Sequence, residues 1–504
     1  MVDEVRIRLR FSSIVNYLAI LYRMVIAVGF VVIVARRLSV SEFGFLGVII
    51  SLTTILSTPA SLWNYWTQRY LARGINEAGM TSLVLTLLYS LLATPILLLL
   101  GFIFNRALNL DLSYVVVSIP LLWLNAYNMV VTGISTAVKP ELIGFRNFVY
   151  ETLRLILALI LVACLRTGLV GAIASLTIAL VVSNVYALAI LKKVINFRFC
   201  PSWDIAKEWF RGFPIPILNV AYSFLVNGVR AFASLITGSE VPTAYLNVGF
   251  STYSPLISAA RATTPALYAR VLRQRSALDV VEVIRIFILI NSLLFSTFIA
   301  LSRTIASLYN PVYVSAWVIV VTLSIFGLLE GLRSIFFMVV IGSSRVDVSG
   351  IRSVKQIVRS DLFKASLIRV VASSLIYLVG FITVLMFRGD HLVEALGFSI
   401  GIVVATLVTI PWYFIKALRY IRFKVPWREV ITGLIAGSIV IGYALAWRLN
   451  KLLILSFWRD ITSLIPHLIV MLSIYLITWY LLSPWFRNLA RLSLRYLVRT
   501  LHIE

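Results

Sequence analysis

Residues 168–193 read GLVGAIASLTIALVVSNVYALAILKK, an uncharged run closed by Lys192 and Lys193. A run longer than about 18 apolar residues spans a bilayer as a helix, because only a helix satisfies its own backbone groups in lipid. Working outward from it, the same pattern recurs along the chain. Of the 504 residues 61% are hydrophobic, and hydropathy marks about fourteen apolar cores. They lie at 14–35, 44–66, 80–104, 113–138, 147–165, 168–191, 212–236, 243–269, 284–308, 312–341, 365–387, 391–415, 429–447 and 462–482. The chain therefore reads as an all-α polytopic membrane protein.

The two lysines that close the quoted run also set the topology. The formal net charge is +25, and about 31 of the 45 basic residues fall in one alternate set of loops and tails against about 9 in the other. The rich set comprises the N-terminus (Arg6, Arg8, Arg10), the 192–211 stretch, the 270–285 turn, the 345–369 and 416–428 loops and the C-terminal tail. Positive charge is retained on the cytoplasmic side, so both termini are expected in the cytoplasm of a multi-pass plasma-membrane protein. The basicity is topological and implies no nucleic-acid partner. A charged N-terminus running straight into a full span is not a cleavable signal peptide. Three scattered histidines, two distant cysteines (Cys164, Cys200) and no HExxH, CxxC or carboxylate cluster point to no metal, cofactor or catalytic residue. The chain is read as a non-enzyme that works inside the membrane.

The quoted run with its predecessor, RLILALILVACL from Arg154, resembles RVVASSLIYLVGF from Arg369 and the HLVEALGFSIGIVVATLVTIPWYFIK run that follows it. Pro59 with Gln68 to Arg73 likewise resembles Pro255 with Tyr268 to Arg273. Both correspondences are six spans apart, as in a parallel repeat. The expected organisation is an N-terminal six-helix bundle (1–191), a cytoplasmic linker (192–211), a C-terminal six-helix bundle (212–418), helices 13 and 14 (419–486) and a basic amphipathic cytoplasmic tail (487–504).

Ionisable groups at membrane depth are costly and are expected to face a cavity or a partner. Arg23 lies mid-span with Asn16 on the same face; Asn64 and Gln68 end a stripe in span two. Asn219, Asn227 and Arg230 share a face of span seven, and Asn247 precedes Arg261 in span eight. These residues are candidates for binding substrate in a cavity; the competing reading is that the amides and hydroxyls knit helices together. Glu151 with Arg154 and Glu330 with Arg333 are spaced three apart on one helical face, which suits either local neutralisation or a gating or ion-coupling role. Since each deep acid has an arginine beside it, the surplus is guanidinium, which binds phosphate through forked, charge-assisted hydrogen bonds. An anionic substrate follows. In the tail, Arg487, Arg491, Arg495 and Arg499 are spaced four apart, as on a helix lying on an anionic leaflet.

Three motifs carry a family resemblance: Arg37-Leu38-Ser39-Val40-Ser41-Glu42-Phe43-Gly44, Gln68-Arg69-Tyr70-Leu71-Ala72, and Gly168-Leu169-Val170-Gly171-Ala172 at the head of the quoted run. With fourteen spans in a 6 + 6 + 2 order, the chain resembles polysaccharide and O-antigen flippases of the multidrug/oligosaccharidyl-lipid/polysaccharide exporter superfamily. The resemblance implies two bundles around a central cavity lined by helices one, two, seven and eight, alternating access, and a lipid-diphosphate-linked oligosaccharide as cargo, with H+ or Na+ coupling open. The alternatives are an ion-coupled multidrug or metabolite exporter of the same superfamily, which an unpaired carboxylate in span one or seven would favour, and a membrane-embedded glycosyltransferase or polymerase. Asp111, Glu240 and Asp390 are too isolated to serve the last of these.

Overall fold

The computed structural model describes residues 9–194, 201–211, 213–274, 276–343 and 358–491. Among these residues the protein is helical without a strand. The long helices are α1 (Leu9–Arg37), α2 (Val40–Leu71), α3 (Glu77–Leu108), α4 (Leu112–Val138), α5 (Glu141–Cys164), α6 (Gly168–Val194), α7 (Pro214–Thr237) and α8 (Val241–Gln274), continuing with α9 (Ala277–Ala300), α10 (Pro311–Ser343), α11 (Asp361–Met386), α12 (His391–Tyr420), α13 (Trp427–Ala446) and α14 (Phe457–Leu482). Twelve helices among the described residues are long and apolar enough to cross a membrane. The other two expected spans, 14–35 and 243–269, fall on α1 and α8, whose side chains lie partly outside the described residues. The protein is a multi-pass membrane protein.

The helices are amphipathic in the sense a bilayer demands. In α3, Ser82, Thr86, Ser90, Ala93, Leu97 and Gly101 recur at three- and four-residue steps and are buried, while Leu92 and Leu99 are 70% and 61% exposed. Small and polar groups pack inward, while Leu92 and Leu99 point outward as lipid-facing leucines do. Trp63 donates Nε1–H to Thr86 Oγ1 at 2.9 Å.

Local chemistry sets the breaks. Ser39 caps α2: its Oγ accepts from the Glu42 amide at 3.2 Å, and Glu42 Oε2 accepts from the Ser39 amide at 2.9 Å. The motif around these residues is therefore a helix start, and Gly168, in the left-handed region (φ 63°), lies against the Glu42 carboxylate. Within α2 a 3-10 turn, Thr58–Ala60, accommodates Pro59. The last turn of α5, Leu159–Cys164, is a π turn.

The chain forms two compact units. The first, Met1–Ser251 with Ser344–Pro411, holds α1 to α7, the start of α8, α11 and most of α12. Inside it α1 packs along α5 and α7 along α11. Arg154 of α5 lies over the Phe30 ring of α1 at 4.6 Å, and Arg369 of α11 over the Tyr222 ring of α7 at 3.5 Å. Both helix pairs thus set an arginine of the later helix on an aromatic ring of the earlier one. The stretch 203–211 is a short helix, Trp203–Arg211, that buries Trp209 edge-on against Tyr70 (centroids 5.8 Å apart).

The second unit, Thr252–Ser343 with Trp412–Glu504, is built on α9, α10, α13 and α14. Ala436, Val440, Ala444, Met471, Tyr475 and Trp479 form its core with Ala300 and Leu301. At one end Arg285 Nε meets Glu429 Oε1 at 3.3 Å, and Trp485 donates Nε1–H to Glu282 Oε2 at 2.9 Å. Of the tail arginines, Arg487 and Arg491 end a helical stretch, while Arg495 and Arg499 lie outside the described residues.

Candidate functional site

The site is built where α1 lies on α5. Tyr22 and Thr152 share a hydrogen bond between hydroxyls at 2.7 Å, and the Tyr22 ring rests on Phe148 with centroids 4.9 Å apart. These contacts fix the register of the two helices and bring the next residue of α1, Arg23, beside the preceding residue of α5, Glu151.

Glu151 is 1% exposed and carries an arginine on each oxygen: Arg23 Nε is 3.2 Å from Oε1 and Arg154 NH2 is 2.5 Å from Oε2. Burial of a carboxylate costs several kcal/mol unless well-placed charges offset it, and here two do. The two arginines differ. The Arg154 side chain is 13% exposed and sits over the Phe30 ring with Tyr150 5.2 Å away. The Arg23 side chain is 55% exposed and is engaged through Nε; among the described residues its guanidinium has no other ion-pair or hydrogen-bond partner. The trio sums to one positive charge, and the surplus sits on the exposed member. A guanidinium facing lipid at membrane depth would be costly, so an exposed one is expected to face water or an anion.

The sequence places Arg23 among the cavity candidates and leaves Glu151 with Arg154 between local neutralisation and a gating or ion-coupling role; the structure joins all three in one cluster. In the matching pair on α10, Arg333 donates NH2–H to Glu330 Oε1 at 2.7 Å and both side chains are buried. Arg230 lies over the Phe250 ring at 5.4 Å. Its neighbour Asn227 offers its backbone carbonyl to Ser51 Oγ of α2 at 2.5 Å. Asn247 is buried, donates Nδ2–H to the Phe43 carbonyl at 2.8 Å and packs on Gly47. Asn64 and Gln68 both pack against Gly133 of α4 and remain half-buried, and Asn219 is half-buried on α7. The side chains of Asn16 and Arg261 lie outside the described residues.

Sequence reasoning missed Arg146, which is 4% exposed and donates through NH2 to Thr132 Oγ1 at 2.6 Å. The signal was present: Arg146, Tyr150 and Arg154 follow at four-residue steps on one face of α5. The register-setting Tyr22 and Thr152 had no comparable signal, because a tyrosine and a threonine in an apolar run look like ordinary packing.

No protein-family model matches the chain, and no curated protein does so. Solved structures share its fold. A structure described as the inward-facing conformation of a multidrug resistance MATE family transporter of the MOP superfamily matches with a TM-score of 0.59 at 17% identity, over 81% of this chain and 98% of that one. The outward-facing conformation of such a transporter matches with a TM-score of 0.53 at 17% identity, over 81% and 95%. A MOP superfamily transporter from Pyrococcus furiosus, described as having a binding pocket of reverse polarity that suggests a different function, matches with a TM-score of 0.54 at 18% identity, over 81% and 95%. The protein has a MATE-like transporter fold, and these structural neighbours are transporters, not enzymes.

Proposed function

We propose that this protein is a flippase, moving the sugar-diphosphate headgroup of a polyprenyl-type lipid from the cytoplasmic to the outer leaflet of the plasma membrane by alternating access. The observation that carries the reading is the sign and placement of the surplus charge: an exposed Arg23, held on a buried carboxylate, with one positive charge left over. A diphosphate crossing the hydrocarbon layer bare would pay heavily for desolvation, and a guanidinium that accompanies it offsets that cost. Arg230 and Arg261 add positive charge on α7 and α8, and Asn16, Asn64, Gln68, Asn219, Asn227 and Asn247 supply amide groups of the kind that hydrogen-bond sugar hydroxyls. The basic loops place both termini in the cytoplasm, and the basic tail rests on the anionic inner leaflet.

A second reading, an ion-coupled multidrug or metabolite exporter, is favoured by the fold of the MATE transporters. Glu151 or Glu330 would then be the coupling acid for H+ or Na+. The charge balance weighs against a cationic cargo, because each of these acids is already met by an arginine.

The test is leaflet exchange in liposomes containing a lipid-diphosphate oligosaccharide labelled in one leaflet, comparing the native chain with Arg23→Ala, Arg230→Ala and Arg261→Ala. The reading expects protein-dependent exchange that falls at least tenfold in folded Arg23→Ala. Absence of exchange across several such lipids, with export of a small soluble compound by the same preparation, would transfer the assignment to the exporter.

A further inference from the structure

We infer that Glu151 is a positioning residue for Arg23: it holds the guanidinium by Nε so that the opposite, two-nitrogen end is presented to a phosphate group of the substrate. The inference rests on the flippase reading and goes beyond it in assigning a role to a buried acid that carries the same sign as the cargo.

An acid close to an anion site would ordinarily be expected to weaken it. Two features of the cluster reverse that expectation. Glu151 is already neutralised on its far oxygen by Arg154, which is itself boxed in by the Phe30 and Tyr150 rings. The carboxylate therefore contributes little net repulsion to its surroundings. Its near oxygen grips Arg23 at Nε, at 3.2 Å, and among the described residues this is the single polar anchor on a long side chain that is otherwise 55% exposed. A free arginine of that length samples many rotamers, and immobilising it on binding costs conformational entropy. An arginine held at Nε has lost that freedom beforehand, and its terminal nitrogens form the planar fork that matches two phosphate oxygens. The Tyr22–Thr152 hydrogen bond at 2.7 Å, one residue away on each helix, holds the anchor itself in place.

The experiment measures binding of inorganic pyrophosphate, and separately of a short-chain polyprenyl diphosphate in micelles, to the full-length chain. The decisive variant is Glu151→Met with Arg154→Met, because methionine leaves no oxygen to accept from Arg23 Nε. It removes one negative and one positive charge together, so the net charge of the cluster is unchanged and no buried charge is stranded, yet Arg23 loses its anchor. Positioning predicts about a tenfold loss of diphosphate affinity; a purely electrostatic site predicts none and overturns the inference. Glu151→Met alone gives a second, opposite-signed test, since it removes the anchor and makes the cluster more positive: tighter binding would show the acid to be a competitor for Arg23, and weaker binding supports positioning. Arg23→Lys, which keeps the charge and loses the fork, is expected to lose about tenfold as well. Should the native chain bind neither diphosphate, the flippase reading fails with the inference; should it bind but not respond to loss of the anchor, the inference fails alone. Lipid diphosphate binding well above inorganic pyrophosphate assigns the site to a headgroup, and equal binding overturns that part in favour of a soluble diphosphate.

Discussion

Replacing Gly47 of α2 by alanine tests whether the Asn247 amide is a helix clamp. A Cβ built on Gly47 would lie 2.5 Å from Oδ1 and 2.8 Å from Cγ of Asn247, and closer still to Nδ2. The amide must swing away, and the bond from Nδ2 to the Phe43 carbonyl, now 2.8 Å, is lost with it. Leaving that buried donor unmade costs about 1–3 kcal/mol and overpacking a further ~1–3 kcal/mol. Alanine returns about 1 kcal/mol through its better helix propensity. The expected destabilisation is about 1–5 kcal/mol from those terms. Asn247→Ala alone should cost about 1 kcal/mol through the lost hydrogen bond, and adding it to Gly47→Ala should restore about 1–3 kcal/mol, because the new methyl then occupies the vacated space. The assay is a double-mutant cycle from denaturant or thermal unfolding in detergent, with leaflet exchange measured on each variant. A Gly47→Ala protein as stable as the native one, or one that Asn247→Ala fails to relieve, would refute the packing argument.

Other outcomes follow from the same contacts. Arg333→Met strands the buried Glu330 carboxylate and should destabilise by about 3–5 kcal/mol, whereas Glu330→Gln with Arg333→Met should regain most of that loss in unfolding experiments; a double variant that is stable yet inactive would assign the pair to coupling. Trp209→Ala removes a side chain 1% exposed and should free the short helix Trp203–Arg211, at a cost of about 3–5 kcal/mol, seen as faster proteolysis within 195–211. Cys164 is exposed at the end of α5, so in a Cys200→Ser background a membrane-impermeant maleimide should label it from outside intact cells; labelling only after lysis would invert the topology.

Much of this architecture could be read from hydropathy because each span is a local property: twenty or so apolar residues declare themselves without reference to any neighbour. The three-residue spacing of Glu151 and Arg154 announced their contact in the same way. The union of Arg23 with that pair could not be read. It depends on which helix lies beside which, and the hydrogen bond that sets the register joins residues 130 apart. Asparagines were ambiguous for a different reason: the same amide can bind a sugar or clamp two helices, and only the neighbouring atoms decide. For Asn247 those atoms are the Phe43 carbonyl and Gly47. The stretch 192–211 showed its charge and Pro201 in sequence, and these masked the periodicity that buries Ala206 and Trp209.

The arginine-on-ring contact occurs twice, but the acid occurs once: Ser366 precedes Arg369 by the interval at which Glu151 precedes Arg154. Seven residues before the ring, α1 carries Arg23 and α7 carries Ile215. Two helix pairs with the same contact could in principle exchange partners, since Phe30 of α1 and Tyr222 of α7 each offer an aromatic seat to an arginine of α5 or α11. The unmatched carboxylate removes that degeneracy. With α7 in place of α1, Glu151 would lose one of its two cations; with α1 on α11, Arg23 would meet a serine. The single acid thus makes the crossed pairings poorer in ion pairs than α1 on α5, a form of selection among otherwise similar surfaces.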